Sequence, residues 1–377
     1  MKIPFNKPYF DDRDQKAVSK ALEEGHVTGD SFYGQKLAQK LQVILGVKYA
    51  LPTPSCTAAL ELAILSLDIG AGDEVILPSF NFASGAVAIL HSGARPVFAD
   101  IEKETFCIDP KSIERAITPR TRAIMIVHYA GHSCDMSAIL KLTRKYKLKI
   151  IEDAAHAIGG KYRNKSLGTI GDIGCFSFHG TKNIVTGEGG AFVTNDQKVF
   201  EKAEIMREKG TNRPAFLRGE ADKYGLVSIG SSYLLGDILS ALATSQLNKL
   251  EKITKLRRQH AKYLIGSLAD LKAKINLPVT KSYADSCWHI FALLVDPAKR
   301  DQYIKELKIR GVDAAAHYLP LHSSPLGKKM GWDKKELPIT DLVSASMIRL
   351  PLYPSLTKKE LNYLSKIFHE VATKILQ

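Results

Sequence analysis

The stretch YALPTPSCTAALELAILSLD, residues 49–68, changes its hydrophobic rhythm halfway along. A short apolar run with strand-like composition ends at Thr53 and is followed by a turn at Pro54 and Ser55. A run of Ala and Leu with helical character then begins. The same phrase returns in DEVILPSFNFASGAVAILHSG (73–93), in RPVFADIE (95–102), in RAIMIVHYAG (122–131) with MSAILKLTRKYK (136–147), and in LKIIEDAAHAIGG (148–160). Strands alternating with helices of this length predict an α/β fold: a mostly parallel sheet with helices on its faces. Ligands of such sheets sit at the carboxyl ends of the strands.

Outward from this region, Asp11–Glu24 and Gly34–Leu45 read as two amphipathic helices that form an N-terminal arm. One long helix is predicted over roughly Asp237–Leu268, with Leu239, Leu242, Leu247, Leu250, Ile253 and Leu256 on its apolar side. The remainder, with WHIFALLVD (288–296), RDQYIKELKIRGVDAAAHY (300–318) and a terminal helix from about Thr357, reads as a small α+β unit.

With 377 residues, 45% apolar and 24% charged, the chain has the composition of a soluble globular protein with more than one core. Five scattered cysteines form neither a C-x-x-C pair nor a zinc-spaced cluster with histidine, which fits a reducing compartment. No metal site and no membrane span is expected, and the N-terminus carries no apolar leader, so the expected location is cytoplasmic. The formal charge of +14 is spread over helix-like stretches without a basic arm or aromatic-basic motif, so no nucleic-acid partner is expected.

Four strand ends carry polar groups. Ser55 and Thr57 fall where a strand gives way to a helix, which suits either an N-cap or phosphate binding. Asp153 ends an apolar strand three residues before His156, and a carboxylate there needs a cationic or hydrogen-bonding partner. It could be a metal ligand, a helix cap or the partner of a protonated ring nitrogen. Phe80 and Phe82 follow another strand, as core residues or as a flat surface for a planar ligand. In GCFSFHGTKNIVTGEGGAFVTND (174–196), Ser177 lies on a strand and Lys182 beyond it, in a connection where lysine is ordinarily solvated. Together they supply what pyridoxal phosphate (PLP) requires: a phosphate cradle, a carboxylate for the pyridine nitrogen, a ring platform and a lysine for the aldehyde.

PSCTAALELA, GDEVILPSFNFAS, EDAAHAIG, CFSFHGTKNIVTGEGGAF and HYLPLH resemble, in order and over essentially the whole chain, the sugar aminotransferases of the DegT/DnrJ/EryC1/StrS family. The resemblance implies the aspartate-aminotransferase fold (PLP fold type I): a mostly parallel seven-stranded sheet with helices on both faces, and a small α+β C-terminal domain. It implies an N-terminal arm over 1–30, a large PLP-binding domain over 31–245, and a bridging helix with the small domain over 246–377. By position, Lys182 would be the Schiff-base lysine, Asp153 the partner of the pyridine nitrogen and His156 a contact of the ring hydroxyl. Thr57, Ala58 and Ser177 would hold the phosphate, and Phe82 would stack on the ring.

Family members are homodimers with sites at the interface, which makes Ser232 a candidate phosphate contact in trans. Many relatives carry a Gly-Tyr-Asn-Tyr-Arg-like segment there, whereas this chain has Gly230-Ser231-Ser232-Tyr233-Leu234. REKGTNR, FLRGEADKYGLVSIGSSYL and TPSCTA are most similar to the dTDP-4-amino-4,6-dideoxygalactose transaminases within the family. That similarity implies amination at C4 of dTDP-4-keto-6-deoxyglucose, with L-glutamate leaving as 2-oxoglutarate, for lipopolysaccharide or enterobacterial common antigen. The alternative is amination at C3 of a related dTDP-3-keto-6-deoxyhexose. Sugar dehydratases of this fold replace the lysine with histidine, and a sensor without turnover predicts a degraded site; Lys182 and the filled cofactor positions argue against both. For the anionic nucleotide, Arg213, Arg218, His317, Tyr318 and His322 are candidate contacts.

Overall fold

The computed structural model describes residues 1–376. Seven strands form the central sheet: β1 (Tyr49–Thr53), β2 (Glu74–Pro78), β3 (Arg95–Ala99), β4 (Thr121–Val127), β5 (Lys149–Asp153), β6 (Ile173–Ser177) and β7 (Gly190–Thr194). Their order across the sheet is β1-β7-β6-β5-β4-β2-β3. Only β7 runs against the others, pairing antiparallel with β1 and β6, while β6-β5, β5-β4, β4-β2 and β2-β3 are parallel.

Two helices, α1 (Asp12–Glu23) and α2 (Phe32–Leu45), precede the sheet; the connections from β1 through β5 each contain a helix, whereas β5 passes to its parallel neighbour β6 through residues 154–172 without one. The crossovers are α3 (Cys56–Ser66), α4 (Ser84–His91), α5 (Pro110–Ala116) and α6 (Met136–Tyr146), followed after the sheet by α7 (Gln197–Arg207). Period-two alternation sends neighbouring strand residues to opposite cores. Val75, Leu77, Ala123, Met125 and Ile151 pack with Leu60, Ile64 and Ile89 of α3 and α4. Ile76, Ile124, Ile126 and Ile150 pack with Leu37 and Leu41 of α2 and Ile139 of α6 on the other face. A slip of one residue would exchange these faces, so burial fixes the register.

The sequence-predicted helix over Asp237–Leu268 is instead two helices. After the short α8 (Arg213–Leu217) come α9 (Asp237–Leu247) and α10 (Leu250–Ser267), separated at Asn248 and Lys249. The reason is electrostatic as well as steric. The turn carries the buried Lys249 ammonium onto Asp14 of α1, with Asp11 at 3.5 Å. An unbroken periodic helix was predicted because apolar spacing does not register a buried charge that needs a partner. The other two N-terminal predictions fall within a few residues of α1 and α2, and Asp11 caps α1 with a reciprocal bond to Asp14.

A third core gathers α10, α11 (Arg300–Ile309), the antiparallel pair β8 (Phe291–Leu294) and β9 (Met347–Leu350), and the C-terminal helix Lys358–Leu376. Ile3 is fully buried in it, so the first residues of the chain are built into the same core as the last.

Candidate active site

A cavity of ≈ 520 Å³ lies at the carboxyl ends of the central strands, between them and the β8–β9 unit. Its floor begins at the end of β5, where two acids follow one another and face opposite ways. Glu152 is fully buried and accepts from Gly168 N–H at 2.7 Å, Ile170 N–H at 2.6 Å, Gly171 N–H at 2.5 Å and His128 at 2.8 Å. Because His128 Nδ1 accepts from Cys134 N–H (3.2 Å), its proton sits on Nε2 and is donated to Glu152.

Asp153 lines the cavity with one backbone donor, Ala155 N–H at 3.1 Å, and the Cys56 thiol at 4.0 Å. Among the described residues it has no ion pair, although it is only 5% exposed. Burial pushes its pKa up, against the Ala155 bond and the charge of Lys182. A buried acid left this short of donors is suited to a cationic N–H brought in from outside.

Lys182 stands in the turn after β6, its backbone N–H donating to His179 carbonyl oxygen at 2.8 Å, and its side chain lines the same cavity. Burial lowers its pKa to about 8, partly offset by Asp153. A minor fraction of the amine, about a tenth at pH 7, is therefore uncharged, far more than in a solvated loop lysine. His156 also lines the cavity. Its Nδ1 accepts from Ala130 N–H (3.3 Å), which leaves a proton on Nε2, 3.4 Å from the Tyr318 hydroxyl.

At the start of α3, Ser55 caps the helix by accepting from Ala58 N–H at 3.1 Å. Cys56 and Thr57 stand in the first turn and line the cavity, Thr57 Oγ1 meets Ser84 Oγ at 2.7 Å, and Ser177 lines the same cavity. This is an anion cradle, made of helix-terminal N–H groups and hydroxyls. Ala58 does not line it, since its N–H is already donated to Ser55. Gly190 permits the closeness of β7 to this cap: a Cβ there would lie 2.5 Å from the Ser55 carbonyl carbon and 2.6 Å from Cys56 N.

Of the two phenylalanines, Phe80 is core at 1% exposed, whereas Phe82 is 61% exposed and faces the cavity. The residues present thus fit PLP, with hydroxyls and helix-terminal amides suited to a phosphate, an under-partnered buried acid, an amine of lowered pKa and an exposed ring in one space.

His317 and Tyr318 line the cavity, stacked on each other at 3.5 Å between centroids. His322 does not: it is buried against Ser79 Oγ at 2.8 Å and reaches Asp341 at 3.3 Å, tying its loop to the end of β2. Arg213 lies outside the lining, 3.5 Å from Glu208, and Arg218 pairs with Glu204 and Glu220 at 3.0 Å. Ser232 is exposed and bridges Glu208, also away from this chain's cavity.

Sequence reasoning missed His289, Phe5 and Arg349, all of which line the cavity. His289 donates through Nδ1 toward Asn183 Oδ1 (3.1 Å), the residue after Lys182. Arg349 sits in β9 and spends Nε and Nη2 on the Ala316 carbonyl at 3.0 and 2.9 Å. No carboxylate lies within ion-pair distance of it among the described residues. The available signal was an arginine inside the otherwise apolar MIRLPL (347–352). Among the described residues no group of three or more His, Cys, Asp or Glu side chains could hold a metal, and no helix is long and apolar enough to cross a membrane.

The chain is similar along nearly its whole length to proteins already known. A Methanocaldococcus jannaschii protein, the uncharacterized MJ1066, is 39% identical over 347 residues, 89% of this chain and 90% of its own length. The spore coat polysaccharide biosynthesis protein SpsC of Bacillus subtilis is 34% identical over 369 residues, 96% of this chain and 94% of its own. The structure of Helicobacter pylori PseC, an aminotransferase involved in the biosynthesis of pseudoaminic acid, superposes with a TM-score of 0.92 at 28% identity, covering 99% of this chain and 100% of that one. Residues 8–369 match the DegT/DnrJ/EryC1/StrS aminotransferase family, and the chain belongs to it, as a PLP-dependent sugar aminotransferase of fold type I.

Proposed function

We propose that the chain transfers an amino group from L-glutamate to C4 of dTDP-4-keto-6-deoxy-D-glucose, giving dTDP-4-amino-4,6-dideoxy-D-galactose for lipopolysaccharide or enterobacterial common antigen. The observation that carries the transamination is the shared cavity of Lys182, Asp153 and Arg349. The choice of C4 rests on the segments REKGTNR and FLRGEADKYGLVSIGSSYL. In this reading the enzyme works as a homodimer, with Ser232 reaching the partner's phosphate cradle.

PLP, when bound, supplies the aldehyde and the electron sink for the amino transfer. Thr57, Ser177 and the first amides of α3 would hold its phosphate, and Phe82 would cover its ring. Asp153 would keep the pyridine nitrogen protonated, and His156 would donate from Nε2 toward the ring hydroxyl. Lys182, with its pKa lowered to about 8, takes a proton from the donor's Cα and later delivers one to the sugar carbon. Arg349, a cation without an acidic partner, receives a carboxylate of the donor through its free edge. His317 and Tyr318 stand at the sugar side, while Arg213, Arg218 and His322 lie outside this chain's cavity lining.

The test follows the absorbance of PLP-loaded protein through addition of L-glutamate and then of the keto sugar, with NMR of the product. A visible band lost with glutamate, regained with the sugar, and an amine at C4 are expected. An amine at C3 would refute the position, and a sugar left unreacted while glutamate is consumed would refute the acceptor.

A further inference from the structure

We propose that the N-terminal segment Ile3–Tyr9 is a wall of the donor subsite and that Phe5 sets the aim of Arg349, a positioning role that rests on the carboxylate reading of Arg349 above. The segment is pinned at both ends. Ile3 is fully buried, its N–H donating to Gly311 carbonyl oxygen at 2.8 Å and its carbonyl accepting from Asp313 N–H at 3.0 Å. This approach depends on Gly311, at φ +78°, where a Cβ would come within 2.3 Å of the Met1 carbonyl oxygen. At the other end the Tyr9 carbonyl accepts from Gln246 Nε2 at 3.0 Å. Between the pins, Phe5 and Asn6 line the cavity that holds Lys182.

Arg349 Cζ lies 4.7 Å from the centre of the Phe5 ring. The Ala316 carbonyl takes two of its nitrogens, and the ring covers its face. A guanidinium held on one edge and one face has a single remaining direction, its Nη1 edge, in which to meet a carboxylate. The ring and the carbonyl do this without supplying a negative charge that would compete with the ligand. The segment therefore serves donor recognition rather than merely closing the third core.

Glutarate, a dicarboxylate without an amine, is the probe, titrated calorimetrically into the cofactor-free full chain. Phe5→Ala is expected to weaken glutarate about three- to tenfold, by loss of the cation–π contact, with PLP affinity unchanged. Phe5→Tyr should restore it, and Arg349→Gln should remove it. If Phe5→Ala binds glutarate like wild type while Arg349→Gln does not, the positioning role falls and the carboxylate reading stands. Unchanged binding in Arg349→Gln, or no binding to wild type, overturns both. A Phe5→Ala loss that extends to PLP and is not restored by Phe5→Tyr marks a structural residue and overturns the proposal.

Discussion

The two walls of the cavity are built differently. Asp153, Ser177, Lys182 and the cap of α3 stand at the ends of neighbouring strands, so each is placed by the hydrogen bonds of one sheet. His289, His317 and Arg349 come from three separate segments of the C-terminal part and Phe5 from the opposite end of the chain, brought together by the third core and by contacts such as Arg257 Nη1 to the His289 and Leu352 carbonyls at 3.1 and 2.9 Å. The sheet wall is rigid and holds what every turnover needs; the assembled wall is where a substrate is told from its competitors.

If this division is right, damage to the sheet wall should lower kcat whatever the substrate, and damage to the other should act through KM of one substrate. The largest effect is expected for Lys182→Ala, a loss of about 10⁴-fold or more in kcat, since no other lysine lines the cavity. Single-turnover absorbance with L-glutamate measures it, and substantial residual amination would break the assignment. Asp153→Asn keeps the shape but not the charge, and a fall in kcat of about 10³-fold is expected, with KM for both substrates little changed. Arg349→Gln should raise KM for L-glutamate about 10–100-fold and leave KM for the sugar within about twofold. A rise in the sugar's KM instead would move Arg349 to the acceptor side and undo the comparison.

The smallest effect concerns stability. A folded-state pKa of about 8 against 10.5 for Lys182 means that the unfolded chain holds more protons between those values. Stability should therefore rise as pH increases through 8 toward 10.5 and be lowest below 8. Lys182→Met should accordingly stabilise the cofactor-free protein at pH 7 by about 2 kcal/mol, allowing for the amine's contact with cavity water, and lose that advantage near pH 10. Thermal melts of the two proteins across this range would show a constant difference if the amine were freely solvated.

The same division explains what the sequence disclosed. Most of the sheet wall was legible because its groups lie at or just past the end of a strand whose apolar run can be read locally, as with Asp153 after KIIE and Ser55 one residue beyond ALPT. Lys182 could be separated from a solvated loop lysine only in combination with the other strand ends. Phe82 was told from Phe80 by the family resemblance alone, not by its own neighbourhood, and the fold gives 61% exposure to the one and 1% to the other. Arg349, His289 and Phe5 stayed hidden because nothing in their own neighbourhoods states which distant segment they will face. The break between α9 and α10 escaped for a related reason: the acid that draws Lys249 inward lies in α1, more than two hundred residues earlier.

The adjacent acids of β5 show how little separates scaffold from chemistry. Glu152 is saturated with donors and Asp153 is starved of them, and the pleat alone decides which is which. The length of β5 is thus a functional quantity. Deleting one residue from it would turn the sated carboxylate toward the cavity and the hungry one toward the 168–171 loop, leaving composition almost untouched while inverting the electrostatics of the site.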